Sequence, residues 1–335
     1  MGIGRLPLAA IFVFATSVLS GSQQAASNSA PYQLLYIVDS DRGRSDSHER
    51  LFAVDPERKK IVKTYPTGSH PDIALSHDGT RLYVASESRA PDGPEGAGAG
   101  RLDVVDAATG AAVASVADPN PWVATGPLYG SEMALSADGH WLYVYKLMSD
   151  HSEHTVSEFV AIFDTAANKF LPDAIPLPKC GAALLVPWPD ARALSVACFG
   201  TEDLRTMQFT DHGIPMTQLP AVIAIPHNWG RTRLATVIVS GENELTVLMT
   251  DGKYRRVNVQ TGATVQEGEI AFSPPLTPAG WHPRTPGAEH VPSLGRRVIG
   301  SRILESQGRL YVPLSRSDLY MHAADAIAVL DARTL

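Results

Sequence analysis

The chain has 335 residues, with Lys+Arg 28 against Asp+Glu 35, a formal net charge of −7, 25 prolines, 27 glycines and two cysteines. A mildly acidic chain with no lysine or arginine run excludes the usual electrostatic partners of basic proteins, nucleic acid and anionic membrane. Two cysteines are too few, and too far apart, to build a haem or quinone site.

Arg5 is the sole charge ahead of a largely apolar stretch from Leu6 to Leu19, and small or polar residues run from Ser20 to Ala30. That order reads as a secretory signal peptide over 1–26, cleaved between Ser20 and Ala26. The apolar stretch falls short of the roughly 20 residues a spanning helix needs, and no later segment reaches that length, so no membrane contact is expected after signal removal. The rest, 31–335, is long enough for one large β domain or two smaller ones.

Leu34 to Val38 is the first expected strand, and the loop Asp39 to Arg50 behind it is polar throughout, with Arg42, Arg44, Asp46 and His48. Leu51-Phe52-Ala53-Val54-Asp55 is a strand that ends on a turn residue. Ser76-His77-Asp78-Gly79-Thr80-Arg81-Leu82-Tyr83-Val84 then joins an Asp-Gly turn, where glycine supplies positive φ, to a β-branched and aromatic strand. Pro91 to Gly100 reads as a flexible connection. Leu102 to Asp106 repeats the Leu51 strand, and Ser136 to Val144 repeats the turn and strand of Ser76 to Val84.

Asp150, His151, Glu153 and His154 have the residue types of a metal site, but no further ligand converges on them, and a solvated loop without metal is expected. Phe159 to Asp164 is a third copy of the Asp-ended strand. Cys180 and Cys198, an even number in an exported chain, favour a disulfide that restricts the unfolded chain by roughly 3 kcal/mol. Weaker copies of the Leu-Tyr-Val strand lie at Leu194 to Ala197, Leu234 to Val239 and Leu310 to Val312. Val257 to Gly262 is a drifted copy of the other element, and Ile327 to Asp331 is its last. Trp229 and Trp281, each beside a histidine in a loop, either face a partner or pack between strands. Phe272 to Pro292 is a long irregular excursion.

A two-part repeat without helical periodicity predicts an all-β chain of short strands. Its spacing of about 50 to 70 residues is somewhat above the roughly 40 to 50 of a propeller blade. One blade cannot bury both of its faces, so blades must pack radially around a channel. The expectation is a seven-bladed β-propeller with about five to six blades within 31–335, truncated at the C-terminus because so little chain follows Asp331. Asp78 and Asp138 read as turn residues and not as an acid–base pair. No nucleophile elbow, zinc-protease helix, phosphate loop or haem motif is present, so neither catalytic nor cofactor-binding residues are expected in this chain.

The repeat resembles the YVTN type of exported propeller. Three stretches narrow the likeness: Leu177-Pro178-Lys179-Cys180 with Ala197-Cys198-Phe199-Gly200; Ala279-Gly280-Trp281-His282-Pro283; and Arg309 to Pro313, then His322 to Asp325, then Ala326 to Thr334. In this order they resemble the heavy subunit of methylamine and aromatic amine dehydrogenases. The resemblance implies a periplasmic structural subunit in a complex of two heavy and two small, cysteine-rich light chains. Tryptophan tryptophylquinone on the light chain oxidises a primary amine to aldehyde and ammonia, and a copper protein or cytochrome takes the electrons. The family also places an aromatic residue in the loop after the first strand, and Asp39 to Arg50 holds none. Two other readings are a stand-alone binding or scaffold propeller and a lactonase-like hydrolase; for the latter no clear set of channel-facing carboxylates is legible.

Overall fold

The computed structural model describes residues 13–14, 34–39, 50–55, 58, 60–88, 99–117, 133–150, 155–180, 183–190, 193–198, 201, 203–209, 221–224, 234–249, 252–270, 297–298, 304–306, 309–315 and 326–331. Among these residues there is no helix, and every strand pairing is antiparallel. The first sheet runs β1 (Val13–Phe14), β2 (Leu35–Asp39), β3 (Arg50–Asp55), β4 (Lys60–Pro66). β1 comes from within the stretch read as a leader.

The second sheet runs β5 (Ser69–Leu75), β6 (Arg81–Ser88), β7 (Ala99–Asp106), β8 (Ala112–Ala117). In the third, β9 (Met133–Leu135), β10 (Trp141–Asp150) and β11 (Thr155–Asp164) are followed by β12 (Lys169–Phe170) and β13 (Ile175–Pro176), both paired with β11. The fourth is β14 (Ala183–Pro187), β15 (Ala193–Cys198), β16 (Asp203–Gln208), β17 (Ala221–Ala224). The fifth is β18 (Leu234–Gly241), β19 (Glu244–Met249), β20 (Lys253–Asn258), β21 (Thr264–Glu269). In the sixth, β22 (Arg297–Val298) and β23 (Leu304–Ser306) both pair with β24 (Arg309–Ser315), which also pairs with β25 (Ala326–Asp331).

The repeated residues are repeated because each closes the same turn. Gly79, at φ 71°, donates to the Ser76 carbonyl (2.8 Å), and the Asp78 carboxylate receives the Ser76 hydroxyl (2.6 Å) and the Thr80 N–H (3.0 Å). Ser76 Oγ in turn accepts the Arg81 N–H at 2.8 Å. Gly139, Ser136, Asp138, His140 and Trp141 reproduce these bonds between β9 and β10. Between third and fourth strands, Asp106 accepts from the Thr109 N–H and hydroxyl, while Gly110 at φ 68° donates to the Asp106 carbonyl (2.7 Å). Asn258, Thr261 and Gly262 make the same turn with an amide in place of the carboxylate, so the drifted copy is a structural equivalent.

The second, third and fourth sheets each bury both faces. Leu82 and Val84 pack with Tyr36, Leu51 and Ala53 of the first sheet, while Tyr83, Leu102 and Val104 pack with Leu142, Val144 and Phe163 of the third. Tyr143, Val160 and Ile162 then meet Leu194 and Val196; Ala197 and Leu204 meet Leu245 and Val247. Such a chain of two-faced contacts between successive sheets is what radial packing requires.

Two sequence expectations change. Leu234 to Val239, read as a second strand, belongs to the first strand of its sheet, and Leu245 to Met249 stands where the Leu-Tyr-Val strand stands elsewhere. The tight link at Glu242–Asn243 replaces the Asp-Gly signal, so the register was hidden. Ala99 and Gly100, read as loop, begin β7 and pair with Ser88 and Glu87.

Candidate functional site

Turns and connections divide the molecule into two ends. At the turn end, carbonyls of one sheet are held by side chains of the sheet before it. The Tyr36 and Tyr65 hydroxyls both donate to the Ala107 carbonyl (3.3 and 3.0 Å), Arg81 Nη1 donates to Thr165 O (3.1 Å), and His77 Nε2 lies 2.8 Å from Ser136 O. Burial, with Tyr65 alongside, pushes Tyr36 up to about 12, so it stays a donor at any ordinary pH. The Asp78 carboxyl is held below its ordinary value by the Ser76 hydroxyl and the Thr80 N–H. At Asp138 burial opposes ionisation, but the Ser136 and His140 hydrogen bonds outweigh it and the value is again lowered. These carboxylates are turn ties, as the sequence indicated.

The other end is where repeat positions diverge. Aligning the second strands by their Leu-x-Val core (Leu82 and Val84, Leu142 and Val144, Leu194 and Val196, Leu245 and Val247) brings Ser86, Lys146, Cys198 and Met249 to one position. All four are buried, and each sits two residues beyond a valine that faces the preceding sheet. Ser86 Oγ accepts the Gly68 N–H at 3.3 Å, across the link between the first and second sheets.

Lys146 is 1% exposed, with Nζ 4.1 Å from the centre of the Phe170 ring, a cation–π geometry. Burial pushes its ammonium down to about 7. Asp72 on β5 is also buried; it alternates with Ala74 and so lines the second sheet's face toward the third, the interface that Lys146 lines from the opposite side. A half-neutral amine is a base and a nucleophile toward carbonyls, but both uses need an access that 1% exposure does not provide.

Cys198 occupies the same position with a disulfide to Cys180, the segment that enters the fourth sheet from the third. Arg205 reinforces that entry. Its Nε and Nη2 donate to the Asp203 carboxylate (2.9 and 3.3 Å), Nη1 donates to Pro178 O (3.0 Å), and Nη2 donates to the Thr201 hydroxyl (3.1 Å). A buried ion pair needs such extra bonds to offset its desolvation. The Cys–Cys pair was legible in the sequence; the Arg205 clamp and Lys146 were not, because a single charged residue in a strand carries no pattern.

Trp229, Trp281, His151, Glu153 and His154 lie outside the described residues, as does most of Pro91 to Gly100, Asp39 to Arg50 and Phe272 to Pro292. Asp150 is the last residue of β10. Among the described residues no three His, Cys, Asp or Glu side chains gather as a metal site.

No protein-family model and no curated protein matches the chain. Solved structures do. The periplasmic gluconolactonase PpgL of Pseudomonas aeruginosa is similar at TM-score 0.51 and 18% identity, over 90% of this chain and 84% of that one. The WD40 repeats of RRP9 are similar at 0.51 and 13%, over 89% and 76%. A complex of KlAtg21 with the coiled-coil of AgAtg16 gives 0.53 and 12%, over 89% and 81%. Likeness at these identities concerns fold, and with the successive two-faced sheets it defines the class: the chain is a β-propeller.

Proposed function

We propose that this chain is the non-catalytic heavy subunit of an exported quinoprotein amine dehydrogenase, a seven-bladed propeller that positions a small cysteine-rich light subunit in the periplasm. The light chain would carry tryptophan tryptophylquinone and oxidise a primary amine, and a copper protein or cytochrome would take the electrons. The observation that carries this reading is the Cys180–Cys198 bridge on a β-propeller. It joins the two cysteine-bearing stretches on which the resemblance rests, and structural disulfides persist in oxidising compartments. The pairing of Arg309 with Asp331 in β24 and β25 supports it further, since the resemblance orders those two strands in this way.

Purification of the full-length protein from its native periplasm, with an absorbance scan and mass spectrometry of associated chains, tests the proposal. The expected result is a small partner with a tryptophan-derived quinone chromophore. A lone, colourless propeller would replace it with a stand-alone exported binding scaffold, and a tightly retained divalent metal would favour a hydrolytic propeller.

A further inference from the structure

The place of the Cys180–Cys198 bridge constrains when it can form. Cys180 stands on the connection that leaves β13 for β14, and Cys198 is the last residue of β15. Leu177 N–H donates to the Glu158 carbonyl (2.8 Å) and Cys180 N–H to the Leu177 carbonyl (3.3 Å), so this connection is laid along the third sheet before it crosses to the fourth. From the fourth sheet, Arg205 Nη1 holds Pro178 O (3.0 Å).

Both cysteines belong to the apolar cluster that joins these two sheets. Tyr143, Val160 and Ile162 enter it from the third sheet, Leu194, Val196 and Met207 from the fourth, and Cys180, Cys198 and Leu177 are each 0% exposed. Cys198 is paired on both sides, opposite Ala183 of β14 and Asp203 of β16. Uncovering it therefore requires the third and fourth sheets to part, an opening far costlier than the movement of a loop.

Disulfide exchange needs room at the sulfur. One cysteine, as thiolate, attacks a sulfur of an oxidant's disulfide; a mixed disulfide forms and one oxidant thiolate leaves. The second cysteine then attacks the chain's own sulfur, the bridge closes, and the oxidant departs as a dithiol carrying the two electrons and two protons that the chain has lost. The mixed disulfide seats the oxidant where the folded protein holds Tyr143, Leu177 and Met207.

We propose that oxidation precedes packing: a disulfide oxidant acts on this chain while the third and fourth sheets are still apart, and the bridge then closes the interface over itself. A chain that packs before meeting the oxidant seals two thiols, which are oxidised only when that interface reopens. The inference rests on the place of the bridge and not on the amine dehydrogenase reading.

Refolding of the full chain from its reduced, unfolded state tests this. In one series oxidised glutathione is present from the start; in the other the chain folds anaerobically until its circular dichroism is constant, and oxidised glutathione is then added. Acid quenching, alkylation and mass spectrometry count the free thiols. Bridge formation should be slower in the second series by about a hundredfold or more, and urea below the unfolding transition should speed it. A reduced chain that stays unfolded until the oxidant arrives establishes the same order. A folded, reduced chain that loses its thiols as fast as the unfolded one overturns the proposal.

Discussion

Gly110 and Gly262 hold the same turn position and the same left-handed backbone, yet their surroundings differ. A Cβ at Gly262 would meet nothing within 4 Å, whereas at Gly110 it would lie 2.5 Å from Lys63 and 2.6 Å from the Tyr65 ring. Gly262→Ala should therefore cost only the left-handed penalty of about 1 kcal/mol, and Gly110→Ala roughly 3 kcal/mol, since Tyr65 must also move from Ala107. Urea unfolding of the two variants checks the order. Lys146 makes a different residue-level prediction. Between about 7 and the ordinary 10.5 the folded chain leaves this amine neutral while the unfolded chain still binds its proton. Stability should thus rise with pH across that window, with the burial penalty complete below it and gone above it. Lys146→Met removes this contribution, so its urea midpoints from pH 7 to 10 should rise less than those of the wild type.

At the scale of elements, the entry to the fourth sheet is tied twice, by the disulfide and by Arg205 on Pro178. Both cysteines are fully buried, so in the native protein a thiol reagent should find nothing to modify even with mild reductant present. Replacing both by alanine opens a loop of sequence separation 18 in the unfolded chain and should cost about 3 kcal/mol. Guanidinium titrations of the double variant read that loss directly; an unchanged midpoint would mean that the Arg205 clamp holds the connection alone.

For the whole molecule, the interfaces matter more than the sheets. Phe163 is completely buried, edge-on to Tyr83 of the second sheet and to Phe170 of its own. Phe163→Ala should cost about 3 to 5 kcal/mol, and because each apolar cluster joins two sheets, the loss should lower one common transition seen by fluorescence and by circular dichroism. Two separated transitions would show that the sheets on either side of this interface unfold independently.

The local chemistry of the propeller is written in the sequence. Ser76-x-Asp78-Gly79 and Asp106-x-x-Thr109-Gly110 state their turns because every bond in them closes within a few residues, and alternation in Leu82 to Val84 states its strand for the same reason. Cysteine pairing was legible from the even number of cysteines. Long-range geometry was not: which side of β10 faces the second sheet places Lys146 in an apolar wall. Arg205 likewise acquires its meaning from Pro178, which only the packing of the third sheet on the fourth brings within reach. Those facts depend on distances between residues far apart in the chain, and a single sequence encodes them only through the energy of the folded whole.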